Sequence, residues 1–297
     1  MESNFIEIIN GFSVKSDTVF SVSTSIFVFI SGIIVNEALK AFGRYRKRKF
    51  NRTLVKLNLP LLIEKLEKQK IEFETFVKHL YVDNMESIPY TAINNPHIQI
   101  IYEIGYSELH KAYFSGIENL RSSNNQIKVD SYGKLWSRVN HLQMSYNKNK
   151  DEAISAIERI RILQDERNTA ARTPKVQIEK FLYSLIGKEV SMEYKGFIVN
   201  LQHMTNSFFL NGGIQTPTSV NKFLLSINQY IVQNLGIVLK RYDLLDLSGL
   251  QDNIEWAVYK YGNEKKIVES TNSTFQNKIN TLSDNIKDLR YANNHLK

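Results

Sequence analysis

The chain contains no cysteine. That excludes disulfides, thiolate nucleophiles, cysteine zinc sites and cysteine-ligated iron–sulfur clusters. Proline and glycine are scarce, five and thirteen in 297 residues, so long helices are permitted and a collagen-like or turn-dense β chain is not. The loops that cradle phosphates, G-x-x-x-x-G-K-[ST] and G-x-G-x-x-G, do not occur. Neither do the zinc-protease H-E-x-x-H nor the nucleophile elbow G-x-S-x-G. The six histidines, at 79, 97, 110, 141, 203 and 295, stand singly. No cofactor and no metal is therefore expected. At 42% hydrophobic and 23% charged the composition is that of a folded protein, long enough for one large domain or two modest ones.

A net charge of +8 first suggests a nucleic-acid partner. Its distribution argues otherwise. Residues 1–36 carry −2, residues 37–52 carry +6 and the remaining 245 carry only +4. The basic stretch holds Lys40, Arg44, Arg46, Lys47, Arg48, Lys49 and Arg52 against the single acid Glu37.

Immediately before it, Thr18 to Asn36 run for nineteen residues without a charge. As a helix this segment reaches roughly 28 Å, close to a hydrocarbon core of about 30 Å. A cleaved signal peptide begins basic and ends in a small-residue site, whereas this segment follows an acidic flank and ends in Val35-Asn36-Glu37. The expectation is a single-pass anchor in the inner (cytoplasmic) membrane. The positive-inside rule puts the N-terminus outside and the bulk of the chain in the cytoplasm. The seven cations then form a collar for anionic headgroups, at about 1 kcal/mol each near the surface, and no nucleic acid is expected. Residues 1–17, with Phe5, Ile8, Ile9 and Phe12 at helical spacing, read as a short interfacial segment. Within the anchor, Ser21, Ser25 and Gly32 share a small-residue face with Thr24, Val28, Ser31 and Val35. Such a face is a candidate seam for helix self-association, unless the hydroxyls bond back to their own helix.

The rest reads as all-α. The expected order is an anchor over 18–36, a basic juxtamembrane linker over 37–59, a helical bundle over 60–248 and a long helix over 249–297. Asn95-Pro96, Thr173-Pro174 and Thr216-Pro217 each place a capping residue before a proline that can open a helix, and Pro60 reads the same way. Gly187 and Gly196 are candidate breaks, and Phe197-Ile198-Val199 is the one short stretch with any strand character.

The last fifty residues carry a heptad. Ile254, Tyr261, Val268, Phe275, Leu282, Leu289 and Leu296 recur at every seventh position, with Ile279 and Ile286 among the matching a positions. Ile at a with Leu at d favours parallel pairing, which makes Ile279, Leu282, Ile286 and Leu289 the candidate oligomerisation residues of a coiled coil. The alternative is that this face packs inside the chain's own bundle.

Candidates for chemistry are sparse. His79 with Asp83, Asp243 with Asp246 and Asp284 with Asp288 are spaced for one helix face but have no third ligand or partner nearby. Arg290 and His295 are separated by four residues. That spacing resembles the arginine–histidine motif of HEPN-type ribonucleases, and the resemblance implies an all-helical fold in which the pair acts around a scissile phosphate. Twelve arginines and six histidines make about 0.7 such matches by chance, and Tyr291 replaces the polar residue usual after the arginine. The leading expectation is a membrane-anchored helical interaction, scaffold or assembly protein, probing as a homo-oligomer or with a protein partner and without catalysis. The alternatives are an oligomerising effector that permeabilises the membrane, the general plan of bacterial abortive-infection systems, and a HEPN-like ribonuclease.

Overall fold

The computed structural model describes residues 16–115, 125–185, 187, 189, 191–210, 215–238 and 244–296. All regular structure among them is helical: α1 Ser16–His79, α2 Pro96–Ile104, α3 Tyr106–Phe114, α4 Asn125–Ser184, α5 Met192–Leu210, α6 Pro217–Gln233, α7 Leu235–Val238 and α8 Leu244–His295. The expected all-α class holds: one apolar N-terminal helix long enough to cross a membrane leads into a multi-helix bundle. Residues 1–15 of the interfacial segment, Asp243 and the side chain of Asp246 lie outside the described residues, and Ser16 and Asp17 already belong to α1.

Helix α1 is 64 residues long, about 96 Å. It runs without a break through the expected anchor, the basic stretch and the first turns of the bundle, so residues 37–59 are continuous helix. Pro60 does not open a new helix; it lies inside α1. The reason is the register. Val55, Leu59, Leu62 and Leu66 are all buried on one side across the proline, and each fully buried large side chain contributes about 1.5–3 kcal/mol. Pro60 itself is on the exposed side, as is Lys56, whose carbonyl loses its helical donor. Pro174 is likewise internal, to the 60-residue α4. Only Pro96 and Pro217 open helices, the latter with Thr216 accepting a bond from Ser219 N at 3.2 Å.

Glycine does punctuate, at two places. Gly105 at φ 79° and ψ 149° separates α2 from α3, a conformation in effect restricted to glycine. Gly187 has φ 79° beyond the end of α4. Gly196 breaks nothing, and Phe197-Ile198-Val199 sits in helix α5 rather than in a strand. Its period-two look is three apolar residues in a helix whose Tyr194, Phe197 and Leu201 are buried.

The long helices α4 and α8 run antiparallel. Arg138 meets Asp288, Asn149 meets Lys278, Arg167 meets Glu264, and Gln177 meets Asn253. Helix α1 is also antiparallel to α8, with Glu67 paired to Arg290 and Phe73 and Phe76 packed on Phe275. Two hydrophobic cores lie along this frame. The first joins α1 from Val55 to Phe76, Leu80 just beyond its end, α2, α3, the first half of α4 and the second half of α8. The second joins the end of α4, α5, α6 and the start of α8. Because α1 stops near residue 79, α4 and α8 continue alone into the second core. That core therefore stands at the end of the bundle far from the apolar part of α1.

Candidate functional site

The apolar part of α1 makes no packing contact with the bundle. The 18-residue window that is long and apolar enough for a membrane has none of its residues buried. Phe20, Phe27 and Phe29 are about as exposed as side chains on a helix can be, at 76%, 71% and 69%. Three such phenylalanines in a row of uncharged residues call for an apolar surrounding. On the candidate seam, Thr24 Oγ1 donates to Phe20 O and Ser25 Oγ donates to Ser21 O, both at 2.8 Å. These hydroxyls bond back to their own helix. Gly32 has nothing within 4 Å of where a Cβ would stand, so the small-residue face of Ser21, Ser25 and Gly32 is open.

The basic stretch divides by helix face. Arg48 Nη1 donates to Ser115 O at 2.6 Å, Arg52 Nε donates to Ala112 O, and Lys47 pairs with Glu108 at 2.9 Å. Both arginines thus hold the carbonyl end of α3, where the helix dipole is negative. Glu108, flanked by Lys47 and Lys111, holds its carboxyl below the usual range because both ammonium groups hydrogen-bond it. These three cations dock α3 on α1. The charge pattern predicts all seven at the membrane surface; it does not say that Arg48 and Arg52, one turn apart, share the face of buried Asn51 and Val55. Lys40 and Arg44 pair with Glu37, Arg46 lies over the Phe42 ring at 5.8 Å, and Lys49 is exposed.

The opposite face of α1 carries a feature that the charge pattern hides. Leu39, Phe42, Phe50, Leu57, Leu61 and Ile71 all project away from the bundle, with Phe50 and Leu57 each 61% exposed. At about 100° per residue they fall within one arc of about 100°, diametrically opposite the buried side. These six side chains are spread along some 50 Å of α1 beyond its uncharged part, and Arg46 and the Glu64–Lys68 pair share their arc. In the sequence the six residues are spaced 3, 8, 7, 4 and 10 apart, an incomplete helical period whose intervening members Gly43, Arg46, Thr53, Pro60, Glu64 and Lys68 hide it.

The heptad of α8 faces inward. Ile279, Leu282, Ile286 and Leu289 are 5%, 3%, 6% and 0% exposed, within the first core. Their apolar face packs on α1 and α4 of the same chain. Arg290 is paired with Glu67, and His295 packs edge-on against the Tyr291 ring at 4.4 Å. Arg290 and His295 differ by five residues, about 140° on the helix, so their side chains leave it in different directions. Of the paired candidates, Asp288 bonds Arg138, Asp83 accepts from Thr218 N, and His79 Nδ1 contacts Thr75 O. Among the described residues no group of three His, Cys, Asp or Glu is placed to hold a metal ion.

One charged pair is deeply buried. Arg167 Nη1 reaches both oxygens of Glu264 at 2.6 Å and Val82 O at 3.2 Å. Glu264 has no solvent exposure, and burial pushes its carboxyl above the ordinary range despite the pull of Arg167. The pair lies where α1 ends and the first core gives way to the second. No known protein family, no curated protein and no solved structure matches the chain.

Proposed function

We propose that this chain is a single-pass membrane protein whose cytoplasmic helical bundle is an assembly module, joined to a second copy of itself along the outward face of α1. The observation that carries this reading is the exposed stripe Leu39, Phe42, Phe50, Leu57, Leu61 and Ile71, in unbroken helical continuity with a membrane-length apolar segment. Anchoring in one bilayer with one orientation puts the stripes of neighbouring copies parallel and at the same height. Parallel copies can then pair face to face by the self-complementary contact that two-fold dimers use. The excess of cations after the span supports an N-outside orientation, and Lys40, Arg44, Arg46 and Lys49 are the collar residues left to meet anionic headgroups. The role requires no catalysis. A membrane-permeabilising assembly or a ribonuclease finds less support: Thr24 and Ser25 are satisfied within their own helix, and Arg290 is held by Glu67.

The absence of cysteine makes the test clean. Single variants Phe50→Cys and Leu57→Cys are to be oxidised in native membranes and run without reductant. Covalent dimers are expected from both, and none from Lys266→Cys on the exposed side of α8. Monomer alone from Phe50→Cys and Leu57→Cys refutes pairing through α1. Carbonate extraction of the full chain checks the anchor separately, and recovery in the soluble fraction refutes it.

A further inference from the structure

Where α4 and α8 run on beyond the end of α1, an open groove lies between them. Lys260 reaches Glu166 across it at 2.7 Å, and Asn253 bonds Gln177 near its far end at 3.0 Å. Between these contacts α4 offers Thr169, Ala170 and Thr173, whose side chains are too short to fill the space beside α8. From Ile162 to Thr173 the groove is about 16 Å long, the reach of about five residues of extended chain.

The rim on α8 is aromatic. Trp256 lines the groove and is 52% exposed, and Tyr259 stacks on it with ring centroids 5.6 Å apart. Ile162 stands half-exposed on the α4 side. The setting is acidic. Asp165 and Glu166 line the groove, while Asp252 and Glu255 share the outward face of Trp256 within an arc of about 100°. Lys260, the one cation in the lining among the described residues, is taken by Glu166 and lies 4.6 Å from the centroid of the Trp256 ring. Asp165, Asp252 and Glu255 form no ion pair among the described residues, even though Arg161 stands one turn before Asp165. Residues 53–297 carry a net charge of +4, so three uncompensated carboxylates around an exposed tryptophan reverse the charge locally.

Ring faces attract cations, and carboxylates accept hydrogen bonds from them. Lys260 over Trp256 is such a contact made within the chain. The same carboxylates repel anionic surfaces, whether phospholipid or nucleic acid. The chain's own basic stretch lies some 70 Å away along the helices, so the cation that fits here comes from another molecule. We infer that the groove between α4 and α8 is the docking site for an arginine-rich segment of a partner protein. One arginine stacks on Trp256 and Tyr259, a second meets Asp165, and an aliphatic residue between them lies against Ile162. Arginine suits the groove better than lysine, because a planar guanidinium both stacks on a ring and bonds a carboxylate at two points. The groove is at the end of the bundle far from the apolar part of α1, so it takes a partner independently of how α1 assembles.

The test uses the full chain in nanodiscs of zwitterionic phosphatidylcholine, with empty discs as reference, and end-blocked pentapeptides observed by saturation-transfer NMR. The probe alternates arginine with leucine; two comparison peptides carry lysine or glutamine in place of every arginine. The arginine peptide is expected to saturate with a dissociation constant on the order of 0.1 mM, the strength of a small contact led by charge. The lysine peptide should bind about fivefold more weakly, and the glutamine peptide at least about tenfold more weakly. Trp256→Ala should weaken the arginine peptide at least about tenfold, and so should Asp165→Asn/Asp252→Asn/Glu255→Gln. All these side chains are exposed, so helicity and melting midpoint should stay those of the parent. Removing three carboxylates elsewhere, in Glu103→Gln/Asp130→Asn/Glu193→Gln, should leave peptide binding unchanged. Absence of saturable binding of the arginine peptide up to about 1 mM overturns the site. So does undiminished binding to Trp256→Ala, an equal loss in the two triple variants, or equal binding of the arginine peptide and either comparison peptide.

Discussion

Helices α1 and α8 are both long, and both carry an apolar period over much of their length, but they spend it differently. Helix α8 turns its heptad inward and buries Val268, Phe275, Leu282 and Leu289 against α1 and α4. Helix α1 buries one side in the same core and leaves six large apolar side chains on its other side, from Leu39 to Ile71, exposed among the described residues. The difference follows from position. Helix α8 lies between α1 and α4 and is covered by both. Helix α1 lies at the edge, fixed on its inner side by α8, α2 and α3. An apolar period states that a face needs covering; the neighbours decide whether the cover comes from the same chain.

The largest expected effect tests the inner face. Phe76 is fully buried and packs edge-on against Phe275 at 4.8 Å. Phe76→Ala should destabilise by about 3–5 kcal/mol through lost burial and the cavity left behind. In a domain of this size that lowers the melting midpoint by on the order of 10 °C. Leu57→Ala, on the outer face, should change the midpoint by no more than its error. Equal losses at both sites would mean that the two faces of α1 are alike, and the comparison would fail.

Next is the buried pair that marks the junction of the cores. Arg167→Met leaves Glu264 buried without its counter-charge and should cost about 3 kcal/mol at neutral pH, whereas Arg167→Met with Glu264→Leu should come within about 1 kcal/mol of the parent. The pH dependence has a definite sign. Burial, opposed by Arg167, raises the carboxyl of Glu264 above its ordinary value of 4.5 in the folded chain. The folded state then binds the proton more tightly than the unfolded state, so this group's contribution to stability falls as pH rises from about 4.5 through the raised value. Removing Arg167 steepens that fall. Melting curves of Arg167→Met should approach those of the parent toward pH 4.5 and diverge toward neutrality; a constant gap would show that Glu264 stays ionised throughout.

A smaller effect is expected at the docking of α3. Arg52→Ala removes a charged donor from Ala112 O and should cost about 1.5–3 kcal/mol. Lys49→Ala, exposed and outward, should leave stability unchanged and weaken sedimentation with anionic vesicles instead. If both substitutions acted only on vesicle binding, the division of the basic stretch into an inner clasp and an outer collar would be refuted.

Much of this architecture was readable from the residues. The lack of cysteine excludes disulfides, the lack of sustained alternation argues against sheet, the uncharged run from Thr18 to Asn36 marks the helix long enough to cross a membrane, and helical spacing indicates the long helices. What was not readable has a common cause. Pro60 and Pro174 carry a local signal for a helix start, but Val55 to Leu66 and Ala170 to Ile178 are buried across them, and tertiary packing overrides the local preference. Gly105 reads like any glycine until the α2–α3 corner demands its positive φ. Arg48 and Arg52 are indistinguishable from their neighbours by charge, and the sequence does not show that α3 ends against them. The heptad of α8 was visible as a pattern but not as to its partner. A cavity of about 360 Å³ between α4, α6 and α8 depends on where α1 stops relative to α6, about 140 residues apart in sequence, and no local motif records it.

The smallest effect on stability should be the most informative about assembly. Phe50→Ser, Leu57→Ser and Leu61→Ser together remove three exposed apolar side chains from the outer face of α1. Surface changes away from packed contacts usually stay within about 0.5 kcal/mol each, so the melting midpoint of dilute detergent-solubilised chain should hardly move. Assembly should respond in the opposite way. Thr53 lies within the same stripe and is exposed, so Thr53→Cys reports contact between neighbouring copies without perturbing the apolar residues. Its disulfide in native membranes should form readily in the parent background and fall at least about tenfold in the triple-serine background, since the three substitutions remove apolar area from the proposed contact. If the crosslink persisted undiminished, copies would be meeting through the open small-residue face of Ser21, Ser25 and Gly32 inside the bilayer, and the outer stripe of α1 would have to be reassigned to a different protein.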